Sequence, residues 1–271
     1  MSRRPAAVAG RFYPDEPGDL RAVVEACLAG VPAERLAARA AMVPHAGLVY
    51  SGRCAGAVLG RLVLPRLLVI LAPNHTGCCA SPGASLWPEG AFETPLGPVA
   101  VAREFAARLT ERCELVAPDP LAHAAEHAIE VELPFVRLLA PGAEIVPLVL
   151  AWDDWPRSRR LAAALAELMA EWPEPALILA SSDMTHYEPA ARAAAKDRLA
   201  LDALARLDGE ALLRLCHRHG ISMCGRAPAA VAIEAARRLG ATACRIVDYR
   251  HSGLVTGDDR HVVAYAGVIA T

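Results

Sequence analysis

The sequence predicts a single α/β domain over residues 1–271, with a central, mainly parallel or mixed sheet covered by helices on both faces. Three observations carry this. Apolar runs of strand length recur along the chain, segments of helical period lie between most of them, and no low-complexity linker breaks the alternation. At 271 residues, 54% of them hydrophobic and 21% charged, the chain can bury a sizeable core.

The elements follow in order. "DLRAVVEACLAG" starts on Asp19 as a capping residue and stops on Gly30, which suits the residue just past a helix end. Strands are expected at "AAMV" ending on Val43, "LLVILA" 67–72, "IVPLVLA" 145–151, "ALILA" 176–180, "CRIVDY" 244–249 and "VVAYAGVIA" 262–270. Helical stripes occupy "AREFAARLTER", "EHAIEVELPFVRLL", "SRRLAAALAELMAEW", "ARAAAKDRLALDALARL" and "RAPAAVAIEAARRLG". The Pro/Gly-rich stretch 73–99 reads as a long functional loop plus a hairpin.

Composition excludes several classes. A net charge of −2 with mixed signs gives no footprint for nucleic acid and no basic arm for a membrane surface. No apolar run approaches the roughly 18 residues of a membrane span. The first residues lack the apolar segment of a signal peptide. The eight cysteines are scattered, with no CxxC pair, as expected of reduced thiols in a cytoplasmic protein. There is no GxSxG elbow, P-loop, GxGxxG or HExxH.

What remains is a pattern of strand ends. His45 comes two residues after Val43, His75 follows "LLVILAPN", and Asp183 and His186 follow "ALILASS". The carboxyl ends of parallel strands share one edge, where ligands bind in α/β proteins. One histidine there is usually a loop residue; three in the same topological position predict a site. His217, His219, His251 and His261 lack that placement and read as structural.

Cys224 lies just ahead of a helix with Pro228 in its first turn, where the helix dipole would favour a thiolate. "HAAEHAIEVELP" adds His123, Glu126, His127 and Glu130, read as a helix whose shared face offers an acid–base pair or partners for ligands. Adjacent Cys78 and Cys79 suit a single ion poorly. Imidazoles with a thiolate or carboxylate suit zinc, iron or copper.

The blocks "AGRFYP" 9–14, "VPHAGLVYSG" 43–52, "LAPNHTG" 71–77, "TPLG" 94–97, "EHAIEVELPF" 126–135, "SSDMTHY" 181–187, "CGRAP" 224–228 and "TGDDRHVVAYAG" 256–267 together resemble the Memo family, called AmmeMemoRadiSam system protein B in bacteria. The resemblance covers almost the whole chain. It implies a LigB-like fold, shared with class III extradiol dioxygenases, and metal ligation by His45, His75 and Cys224. His186 would be the catalytic histidine, assisted by Asp183 and His127, with Phe12, Tyr50 and Glu130 as substrate-binding residues. The implied cofactor is iron(II), with copper or zinc as alternatives. Implied partners are a small-molecule or peptide substrate, an AMMECR1-domain protein and a radical SAM protein. A cysteine in place of the third carboxylate departs from true extradiol enzymes. Glu132 stands where bacterial relatives often have glutamine and is read as a surface change.

Overall fold

The computed structural model describes residues 2–80 and 83–271. The chain runs through β1 (Arg3–Arg4), α1 (Pro17–Leu28), β2 (Ala40–Val43), α2 (Leu48–Leu59), β3 (Leu67–Pro73), β4 (Ala84–Leu86), β5 (Ala91–Phe92), β6 (Val99–Val101), α3 (Arg103–Arg112) and β7 (Val116–Pro118). Two 3₁₀ turns, Pro120–His123 and Glu130–Glu132, lead into α4 (Leu133–Leu139). Then come β8 (Glu144–Leu150), α5 (Trp155–Glu171), β9 (Ala176–Ser181), β10 (His186–Glu188), α6 (Ala190–Ala205) and α7 (Gly209–His219). The chain closes with α8 (Arg226–Arg238), β11 (Cys244–His251), α9 (Gly253–Thr256) and β12 (Val262–Ala270).

The strands form one mixed sheet whose centre, β6-β8-β3-β9-β2, is parallel. β12 joins β2 antiparallel and carries β10 and β11. This is the expected α/β architecture, and the antiparallel flank makes the sheet mixed. Alternation along each strand feeds two cores. In β3, Leu67, Val69 and Leu71 pack with Phe105, Leu165 and Val231 on one face. Leu68, Ile70 and Ala72 pack with Leu20, Val58 and Phe135 on the other. Truncating a fully buried residue such as Ile70 to alanine costs about 2–5 kcal/mol. Among the described residues no helix is long and apolar enough to cross a membrane.

Two local expectations are corrected. α1 begins at Pro17 with Glu16 as its cap position, so Asp19 sits inside the first turn; Gly30 does take the left-handed conformation past the end. α2 and α7 lie outside the helical stripes read from the sequence. The expected helix from Glu126 begins only at Leu133, and 126–129 is a turn. The reason is tertiary: the Glu126 carbonyl, which a helix would bond four residues on, accepts instead from Arg4 Nη2 at 2.5 Å. The 73–99 stretch does contain the antiparallel β5–β6 hairpin; Ser81 and Pro82 within it lie outside the described residues.

Candidate metal centre

Because β2, β9 and β3 are parallel neighbours, with Val43 beside Ser181 and Leu71 beside Ala180, their carboxyl ends open on one crevice. His45, His75 and Asp183 all start there. His127 reaches it from the turn that replaces the expected helix. His45, His75 and His127 each offer a donor atom within 4.8 Å of the others. The rings of His75 and His127 stack at 4.7 Å, and His45 meets both edge-on.

Hydrogen bonds fix how each ring presents itself. The Ser181 hydroxyl donates to the Ala128 carbonyl at 2.7 Å, so His45 Nδ1–H must donate to Ser181 Oγ, also at 2.7 Å. That leaves the Nε2 lone pair facing Cys224 Sγ at 3.3 Å. His75 Nδ1 pairs with Glu126 Oε1 at 2.9 Å, and His127 Nδ1 lies 3.4 Å from the same oxygen. Carboxylate and hydroxyl partners of this kind orient metal-binding imidazoles. Burial, then repulsion among His75, His127 and His186, holds His45 well below the usual histidine range, so it is uncharged. Burial lowers His127 as well.

Glu126 shows why this side is stable. Burial pushes its carboxyl up, but the bond and charge of His75 and the amides of Ala128 and His75 outweigh that, and it sits below the ordinary range. Asp183 differs. Burial raises it to about 6 although its Oδ1 accepts from the His45 amide at 2.9 Å.

Cys224 touches His45 but lies outside the three-histidine group. Gly225 allows this approach: a Cβ there would lie 2.2 Å from the Ser181 carbonyl oxygen. The expected dipole-stabilised thiolate is not what the structure shows. Burial, then the Asp183 carboxylate, pushes the thiol up, and Sγ lies 3.6 Å from the Asp183 carbonyl, to which it donates. In the absence of a cation it is a thiol.

His186 donates Nδ1–H to the Ser222 carbonyl at 3.0 Å, leaving Nε2 free. The Phe12 ring rests on His127 at 4.8 Å. Tyr50 is exposed on the first turn of α2 and, with Tyr187 and Asp183, acts on the Tyr265 hydroxyl, which burial chiefly raises. Glu130 takes a different place from the expected one. It is fully buried and accepts from Arg4, Tyr13 Oη, and the Ala7 and Val8 amides, clamping the N-terminal segment. Glu132, read as a surface change, is buried. His123 is buried too, bonded to the Ser85 carbonyl. Ser181, Ser222 and Arg4 were not singled out from sequence; only "SS" at a strand end hinted at the first.

A model of the Memo family, described as Memo-like protein, matches residues 4–269. The chain belongs to the Memo family. It is 39% identical over 270 residues to a MEMO1 family protein of Aquifex aeolicus, covering 99% of both chains. A MEMO1 family protein of Methanothermobacter thermautotrophicus is 38% identical over 277 residues, covering 98% of this chain and 99% of that one. Among solved structures, an uncharacterized protein from Escherichia coli K12 superposes with a TM-score of 0.59 at 14% identity, over 86% of this Memo chain and 99% of that one. That likeness concerns the fold alone.

Proposed function

We propose that this Memo-family protein is a metal-dependent redox enzyme with a dioxygenase-like pocket, LigB-like in its ancestry. The carrying observation is the convergence of three imidazoles, two with Nδ1 held by Ser181 or Glu126, on one point at the carboxyl edge of the sheet. That donor set fits a first-row transition ion: neutral nitrogens with a thiol alongside. His45 and His75 would hold it, with His127 and Cys224 as the flanking donors. Iron(II) is the ion proposed, copper and zinc being the competing assignments. When bound, such an ion supplies Lewis-acid and one-electron chemistry.

The chain's own residues do the rest. His186, its Nδ1–H spent on Ser222, has Nε2 free to take a proton from a substrate hydroxyl. Asp183, raised to about 6, can exchange a proton near neutrality. His127 packs against the Phe12 ring, which is tilted to it at 4.8 Å. A cavity of about 470 Å³ bordered by Asn74, Trp152, Cys224 and Arg226 gives a small molecule or peptide room to approach. A cytoplasmic setting goes with this reading and is supported by eight unpaired cysteines.

The second reading is a binding module in which the same pocket recognises a peptide or a partner, the AMMECR1-domain and radical SAM proteins being the candidates. It is favoured by Tyr187, 74% exposed beside His186 in a left-handed conformation that costs an aromatic residue on the order of 1–3 kcal/mol. The test is oxygen consumption by the iron-reconstituted protein with a panel of phenolic and peptide substrates. The enzyme reading expects turnover that disappears in His186→Ala while the metal stays bound. Metal-independent, stoichiometric binding of either partner, with no turnover, would replace it with the second.

A further inference from the structure

Two residues beyond Glu130, the same 3₁₀ turn carries another carboxylate into the interior. Glu132 is 1% exposed, and neither of its oxygens has a hydrogen-bond partner of normal geometry among the described residues. Burial acts on it most strongly; the Ser181 hydroxyl, at the end of β9, works the other way and favours the ionised form, and the Asp183 carboxylate just beyond repels it. An ionised carboxylate buried with neither donor nor cation is costly enough that such groups keep their proton instead. Burial accordingly pushes Glu132 well above the ordinary carboxylate range.

Ser181 is where this matters. Its proton is committed to the Ala128 carbonyl and one lone pair to His45 Nδ1–H, which leaves one lone pair unused. A carboxylic acid beside it is the matching donor. A carboxylate would instead compete for the hydroxyl proton and release Ala128, in the turn that bears Glu126 and His127. We propose that Glu132 stands as an uncharged acid, donates to Ser181 after a small rotation of its carboxyl group, and through Ser181 positions the His45 imidazole as the Nδ1–H tautomer with Nε2 turned to the centre. Glu132 is thus a positioning residue for the metal centre. Its consequence for binding rests on the metal reading; its protonation and the tautomer it sets do not.

The test compares the full-length wild type with Glu132→Gln and Glu132→Leu. Infrared difference spectra read the carbonyl stretch of a protonated acid, nitrogen NMR of labelled histidine reads the His45 tautomer, and zinc titration reads affinity. The expected result is an acid band lost in Glu132→Gln, with the Nδ1–H tautomer and zinc affinity retained there. In Glu132→Leu the tautomer becomes mixed and zinc affinity falls about 10–100-fold. If the wild type shows no such band, or Glu132→Leu keeps both tautomer and affinity, the inference is overturned. Should Glu132→Leu not fold, the band and the Gln tautomer decide alone. A wild type with the band and the tautomer but no zinc binding supports the inference and sinks the metal reading instead.

Discussion

The two sides of the histidine centre are built on opposite electrostatic terms. On the side of His75 and His127, Glu126 is ionised, accepts from two backbone amides and buttresses both rings. The turn carrying it is held by Arg4, whose guanidinium also reaches the His123 carbonyl and Glu130. On the side of Cys224 and Asp183, burial raises both acids, and the Asp183 carboxylate raises the Cys224 thiol further. One side is satisfied by the protein alone. The other carries acids that backbone amides relieve only in part, and a nearby positive charge would favour the ionised form of both. The histidine side is pre-organised by its own partners, and the Cys224 side is not.

The contrast can be broken most strongly through Arg4. Arg4→Met leaves Glu130 as a buried unpaired charge, so stability should fall by about 3–5 kcal/mol in chemical denaturation. Next comes Glu126→Gln. It keeps shape but removes the charge that orients two imidazoles, so zinc affinity should drop about 10–100-fold with a much smaller change in melting temperature. Equal affinity in this variant would mean that the rings are held by packing alone.

The smallest effect has a distinctive sign. Glu132 sits well above its ordinary 4.5 in the folded protein. Below that value both folded and unfolded chains carry the proton and it contributes nothing. As pH rises above 4.5 the unfolded chain ionises first, so wild-type stability falls, and the loss extends upward to the folded-state value. Glu132→Gln lacks this loss. Its advantage over wild type should therefore grow from pH 4.5 toward neutrality, reaching about 1–3 kcal/mol, the usual cost of an unsatisfied buried group. Denaturation of both proteins at several pH values checks the slope; a constant difference would show that Glu132 is ionised in the fold.

The strand runs around β2, β3, β8 and β9 made the architecture legible, because their apolar residues face two cores at once and leave little else to form. His45 and His75 were legible for the same reason, as residues just past strand ends. The turn at 126–129 was not. What unwinds it is Arg4, 122 positions away from Glu126, taking the carbonyl a helix would need. Nor could the chain order say which of Glu130 and Glu132 meets a guanidinium and which is buried without a hydrogen-bond partner among the described residues. The Ser181 partnership with His45 depends on the register that sets Val43 beside Ser181, a tertiary fact with no local signature.

The most direct test of the centre itself is elemental analysis of untagged protein, wild type beside His45→Ala, His127→Ala and Cys224→Ser, before and after anaerobic incubation with iron(II). The account predicts stoichiometric transition metal in the wild type, lost in His45→Ala and weakened in the other two. Wild-type protein that takes up no metal under any of these conditions, while remaining folded, would contradict it.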